Sequence, residues 1–214
     1  MSYIQFRDVS KSFGGNTVLK AVSFGIEKGS ICGFLGRNGS GKTVIFKLMT
    51  GLMVPDSGTI SIGGENFGAK GKFPDSVGVM IETPGFIPHY SGIKNLKILN
   101  SMSAAPVSAE EIAALMTRLE LDPKNRSPVR TYSLGMRQKL GIIQAVMNKP
   151  ELLVLDEPMN SLDDRSVRLV RELFAELNGR GSTIVLASHI AEDIESLCTK
   201  RFRIENTSIT EVTA

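Results

Sequence analysis

One eight-residue segment constrains this chain more than any other: Gly36-Arg37-Asn38-Gly39-Ser40-Gly41-Lys42-Thr43. It fits G-x-x-x-x-G-K-[ST]. Before it stands a compact apolar run, Ile31 to Leu35. After it, Ile45, Leu48, Met49 and Leu52 recur at helical spacing. An apolar run that short, stopped by glycine, reads as a strand buried on both faces, as in a parallel sheet. The loop joining strand to helix must turn successive N–H groups inward, and side chains would block an anion from reaching them. A helix from Lys42 to about Gly51 aims the positive end of its dipole at the same point. The pattern points to a bound polyphosphate, with Lys42 on the β- and γ-phosphates and Thr43 on Mg²⁺.

The rest of the chain repeats the strand–helix theme. Tyr3 to Val9 and Leu19 to Ile26 read as strands around a Gly14-Gly15-Asn16 turn. Thr59 to Ile62 and Val77 to Ile81 have strand character. From Pro84 to Lys149 the texture turns helical. Ser108 to Glu111 forms a capping box ahead of Ile112, Leu115, Met116 and Leu119, and Leu134 to Met147 is a further helix. Leu152 to Leu155 and Thr183 to Ala187 are buried strands flanking an amphipathic helix, Ser166 to Leu177. Arg201 to Val212 reads as a small hairpin. Buried strands alternating with helices predict an α/β fold with a mainly parallel sheet, interrupted by a helical insertion over about 84–149. The whole, 1–214, reads as one domain.

Composition removes several function classes. The net charge of +3 is too small to argue for nucleic acid, and the most basic short stretch, Lys124 to Arg130, is interrupted by Pro and Asn. Cys32 and Cys198 lie in no CxxC pair and read as small buried side chains in a reducing compartment. No apolar run approaches the ~20 residues of a membrane-spanning helix, and no apolar core of signal-peptide type opens the chain. If this protein serves a membrane, another chain supplies the membrane part.

The second chemical element is Leu152-Leu153-Val154-Leu155-Asp156-Glu157. Acids at the carboxyl end of a buried strand face the crevice where ligands bind in such sheets. Asp156 is placed to orient Mg²⁺, and Glu157 to polarise the water that attacks the γ-phosphate.

Taken with Ser133-Leu134-Gly135-Met136-Arg137-Gln138, Asp156-Glu157-Pro158, Ser161-Leu162-Asp163 and Ser188-His189, the chain resembles an ABC transporter ATPase over essentially its whole length. It is most similar to the bacitracin-resistance and lantibiotic-immunity branch, which likewise has a glutamate where Glu82 stands and a Ser-Leu-Gly-Met run. The resemblance implies an ABC-type P-loop fold with an N-terminal antiparallel β-subdomain, and an ATP-hydrolysing subunit at the cytoplasmic face of a membrane. It implies a separate integral membrane subunit as partner, and ATP and Mg²⁺ as cofactors. Phe13 would stack on adenine, and Thr17, Asn38, Gly39, Ser40 and Gly41 would join Lys42 and Thr43 around the nucleotide. Glu82 would join Thr43 and Asp156 at the metal, and His189 would sense the γ-phosphate. Ser133, Gly135 and Asp163 would meet the ATP of a second ATPase copy across a dimer seam. Ser133 precedes a helix, so its hydroxyl and the first free N–H groups form a second anion site, redundant unless it closes on another subunit's nucleotide.

The chain departs from the family's common pattern in places. Glutamine usually stands at Glu82, and Leu-Ser-Gly-Gly-Gln where this chain has Tyr132-Ser133-Leu134-Gly135-Met136. Met136 lacks the side-chain amide that could complete a capping box, and Asp164 stands where proline is frequent. Thr83 to Tyr90 mixes turn residues with Phe86, Ile87 and Tyr90. It is either a loop packed on the helical insertion or a groove for a short helix of the membrane subunit. Two other functions compete. An ATPase acting on ribosomes or DNA usually has two nucleotide domains or a long coiled-coil insertion. A non-catalytic regulator has no need of Lys42, Asp156, Glu157 and His189 together.

Overall fold

The computed structural model describes residues 2–67, 74 and 76–212. Two sheets are formed by the described residues. The smaller is antiparallel, in the order β2 (Asn16–Ile26), β1 (Ile4–Phe13), β4 (Ser57–Ile62), β5 (Glu65–Phe67). The larger runs β10 (Ser208–Val212), β9 (Lys200–Glu205), β3 (Ile31–Leu35), β8 (Thr183–Ser188), β7 (Leu152–Asp156), β6 (Val77–Met80). From β9 to β6 every pair is parallel, and β10 closes the edge as an antiparallel hairpin with β9.

Period-two alternation splits the central strands between two cores. Leu153 and Leu155 of β7, with Ile184 and Leu186 of β8, face one core. Leu152, Val154, Val185 and Ala187 face the other. The second core holds α1 (Lys42–Met49), whose Ile45, Leu48 and Met49 are fully buried between the two sheets. Both faces of the central strands are therefore dry, which is why they read as unbroken apolar runs.

The first core holds α2 (Gly92–Ser101), α3 (Ala109–Arg118), α4 (Leu134–Val146) and α5 (Asp164–Gly179); α6 (Ala191–Leu197) covers β3. Helix α4 lies directly on β6. A methyl at Gly78 would run into the carbonyl of Ala145, and one at Gly141 would sit 3.3 Å from the Met80 sulfur. The last helix of the 84–149 stretch is thus a layer of the core, while α2 and α3 stand beyond it. At α3 the capping box forms as its residues require: Ser108 Oγ accepts from Glu111 N–H at 3.1 Å, and Ser108 N–H donates to Glu111 Oε2 at 3.0 Å.

Two local expectations fail for identifiable reasons. Leu52 does not continue the buried face of α1 but is 55% exposed, because the helix ends at Met49 and the chain turns at Gly51. The first hairpin is longer than Tyr3 to Val9 and Leu19 to Ile26. Register shifts between Phe6 and Ser12 break the alternation that marks a strand. The bulges find local acceptors: Asp8 N–H donates to Ser23 Oγ at 2.8 Å and Ala21 N–H to Ser10 Oγ at 2.9 Å. Cys32 and Cys198 are both buried and unbridged, and burial pushes the Cys198 thiol up to about 12.

Candidate functional site

The carboxyl ends of β3, β6, β7 and β8 lie at one edge of the central sheet, and the loops leaving them build the site. After β3, residues 36–41 wrap toward α1. Gly41 is the N-cap of that helix, with φ +107 and no side-chain cap, so the first N–H groups of α1 stay open. This loop lines a cavity of about 400 Å³ together with Phe13, Val18, Lys42, Thr43, Asp156 and Glu157. Phe13 is 44% exposed there. Asn38, Gly39 and Ser40 line the same cavity.

The charged groups form a linked set. Lys42 is 6% exposed, and its Nζ donates to the carbonyls of Gly36 at 2.6 Å and Arg37 at 3.2 Å. It stands 3.7 Å from Glu157 Oε1. Thr43 Oγ1 donates to Asp156 Oδ2 at 2.6 Å. Asp156 is the last residue of β7, and burial raises its carboxyl above the usual aspartate range. The nearby Glu157 and Glu82 carboxylates push the same way, while the Thr43 hydroxyl and Lys42 oppose them. Glu157 follows with φ +50, a left-handed conformation that an acid adopts only when its surroundings impose it. Its Oε2 sits 2.8 Å from His189 Nδ1 and accepts from His189 N–H at 3.3 Å. Its Oε1 is buried and makes no hydrogen bond.

Glu82 lies just beyond β6 on the same edge, also with positive φ, +59. With Asp156, Glu157, Leu134 and Gln138 it lines an adjoining cavity of about 260 Å³. Its carboxylate is bound by Lys47 Nζ at 2.6 Å. Ser133 caps α4, its Oγ accepting from Met136 N–H at 3.1 Å, so Met136 takes part through its backbone alone. Gly135 is held close to the chain's own Ser161 carbonyl, which a methyl would approach to 2.9 Å. Asp163 caps α5 through Ser166 N–H at 2.8 Å, and the Ser166 hydroxyl and N–H hold its carboxyl below the usual range.

Phe13, the 38–43 loop, Asp156 and Glu157 therefore converge on one cavity, with His189 bonded to Glu157 and Glu82 next door. Ser133, Gly135 and Asp163 do not line the cavity of their own phosphate loop. Thr17 is exposed, its hydroxyl accepts from Ser12 at 3.3 Å, and Val18 lines the cavity in its place. In the Thr83 to Tyr90 loop, Asn95 of α2 accepts from Ile87 N–H at 2.7 Å and donates to the carbonyls of Ile87, Tyr90 and Ser91. Phe86 packs inward against the helical core, while Ile87 is 43% exposed.

Two sets of supporting residues escaped the sequence reading. Gln138 of α4 donates to the carbonyls of Glu157 at 2.7 Å and Pro158 at 3.0 Å, pinning the strained turn. Behind His189, Arg171 binds Asp193 at 2.8 Å, Asp193 accepts from Ser188 Oγ at 3.1 Å, and Ser188 Oγ accepts from Ile190 N–H at 3.0 Å. Gln138 and Ser188 stand in the motif runs read from the sequence, but nothing in those runs shows which groups they bind.

Residues 19–160 match the family model described as ABC transporter. The chain is 40% identical over 195 residues to the uncharacterized ABC transporter ATP-binding protein YybJ of Bacillus subtilis (strain 168), covering 91% of this chain and 89% of that protein. It is 37% identical over 196 residues to the bacitracin transport ATP-binding protein BcrA of Enterococcus faecalis, covering 91% of this chain and 63% of that one. A solved ATP-binding subunit of an ABC transporter superposes with a TM-score of 0.88 at 26% identity, covering 99% of this chain and 90% of that structure. With a glycine-lined loop, a half-buried Thr43–Asp156 pair and a glutamate–histidine pair on one sheet edge, the chain belongs to the ABC transporter family, as an ATP-binding and ATP-hydrolysing subunit.

Proposed function

We propose that this chain hydrolyses Mg-ATP at the carboxyl edge of its central sheet and, paired with a second ATPase copy, drives a separate membrane subunit. The observation that carries this reading is the 2.6 Å bond between Thr43 Oγ1 and Asp156 Oδ2, beside a glutamate whose Oε1 is buried without a hydrogen bond. The oxygens of Thr43, Asp156 and Glu82 are the donors a hard divalent cation takes. Magnesium, held by Thr43, Asp156 and Glu82, would supply neutralisation of the phosphate charge. Lys42 exchanges its loop carbonyls for phosphate. Glu157 takes a proton from the attacking water, with His189 holding its other oxygen in place. Phe13 serves the nucleoside end, with Val18 beside it in place of Thr17.

Ser133, Gly135 and Asp163 act on the nucleotide of the opposite copy. Their absence from their own chain's cavity supports that assignment. No helix among the described residues is long and apolar enough to cross a membrane, which fits a chain docked at the cytoplasmic face through Ile87 and its loop. The single domain 1–214, with its helical insertion over 84–149, is the unit that docks. The resemblance to a protein named for bacitracin transport points to outward movement of a peptide antibiotic or a lipid-like molecule.

The test is ATP turnover by the purified chain. Glu157→Gln is expected to lower the rate by about 10²–10⁴-fold while ATP affinity stays intact. Turnover unchanged in that variant removes Glu157 from the chemistry.

A further inference from the structure

Helix α1 presents two groups to the sheet edge, one turn apart. Thr43 and Lys47 stand four residues apart, so they share a helix face. Strands β6 and β7 are neighbours in parallel register, with Met80 beside Leu155, so Glu82 leaves the same sheet edge one residue beyond the level of Asp156. The result is two parallel couplings across one gap: Thr43 to Asp156 at 2.6 Å and Lys47 to Glu82 at 2.6 Å. Glu82 and Asp156 also line the same cavity.

A glutamate at this position adds a third carboxylate to Asp156 and Glu157 at a site that must accept a triphosphate. Without a counter-charge it would repel the nucleotide until the metal arrived. Lys47 supplies that charge, and its ammonium binds the same carboxylate that a cation at Thr43 and Asp156 would attract.

We propose that Lys47 is the positioning residue for Glu82: it holds the carboxylate off the metal site before nucleotide binds, and Glu82 exchanges Lys47 for Mg²⁺ when Mg-ATP arrives. The inference rests on the metal assignment proposed above. Thr83 to Tyr90 follows Glu82 directly, so the exchange also reports metal occupancy to the loop that carries Ile87. The cost of replacing a neutral ligand with a charged one is thereby offset inside the chain.

The experiment is an equilibrium titration of a fluorescent ATP analogue into the full chain at a series of Mg²⁺ concentrations. The parent carries Glu157→Gln, so that no hydrolysis intrudes. Lys47→Gln frees Glu82 and is expected to lower the Mg²⁺ concentration for half-maximal binding about threefold, the size an exposed ion pair carries. Lys47→Arg, which keeps the charge, should match the parent. In a Glu82→Gln background, Lys47→Gln should change nothing. A shift of equal size in that background means that Lys47 acts as a bulk charge on the metal, and overturns the exchange; so does no shift in either background. Binding that ignores Mg²⁺ in the parent itself overturns the metal assignment as well as the exchange. Melting curves of each variant show whether a loss of affinity is merely a loss of fold.

Discussion

Two helix N-termini in this molecule look alike in sequence, each following a short polar or glycine-rich turn, yet they are finished differently. At α1 the cap is Gly41, which donates no side chain, and the open N–H groups face a cavity that also holds Lys42. At α4 the cap is Ser133, whose hydroxyl already accepts from Met136 N–H. The Arg137 guanidinium in the first turn of α4 is spent on the carbonyl of Tyr132. Leu134, the first residue of α4, is 56% exposed. The first end is an anion site completed by its own chain. The second is already capped by its own serine, so on the proposed reading it suits a phosphate that arrives already neutralised on another body. On the proposed reading, the same helix-end physics serves as a cradle in one place and a lid in the other.

Substitutions should separate the two ends, starting with the most damaging. Gly41→Ala forces a methyl into a residue at φ +107, 3.0 Å from Val18, and strains the turn that presents the open N–H groups. ATP affinity measured by calorimetry should fall at least ~100-fold, the scale of losing two charge-assisted hydrogen bonds; an alanine variant that binds as tightly would remove the distinction between cradle and lid. Gln138→Ala takes away both bonds that hold the Glu157 turn. It should lower kcat about tenfold with KM for ATP unchanged, the scale of one or two lost hydrogen bonds. A matching rise in KM would instead place Gln138 in nucleotide binding.

Ser133→Ala should cost roughly 1 kcal/mol of stability through the lost cap, seen in urea melts, and leave ATP affinity of the lone chain untouched. An affinity loss in the lone chain would make both ends cradles. The smallest effect concerns Asp156. Burial raises its carboxyl in the folded state, so the fold binds that proton more tightly than the unfolded chain does. Stability is therefore lost as pH rises from the ordinary aspartate range through the raised one. Asp156→Asn should melt a few degrees above the parent at neutral pH, and the gap should close in acid, as thermal scans across pH will show.

Much of this was legible because its determinants are local. The glycine loop, the acids after an apolar run and the Ser108–Glu111 cap are all spelled within eight residues. Leu52 misled because periodicity says nothing about where a helix stops, and the bulges of β1 hid because they break the very alternation that marks a strand. The supporting network was out of reach for a different reason. Gln138 grips a carbonyl 19 residues away, and Arg171 an acid 22 residues away. Side-chain spacing rules on a helix extend about four residues, so contacts of that span exist only once the layers have packed. Lys47 is intermediate: its spacing from Thr43 is readable, but its partner lies 35 residues on, across the sheet edge.

Sedimentation of the Glu157→Gln chain with and without saturating Mg-ATP tests the division between cradle and lid most directly. ATP should turn a monomer into a dimer, and adding Ser133→Arg should keep it monomeric while ATP still binds. Dimers that form equally well with Ser133→Arg, or a Glu157→Gln chain that stays monomeric with ATP bound, would contradict it.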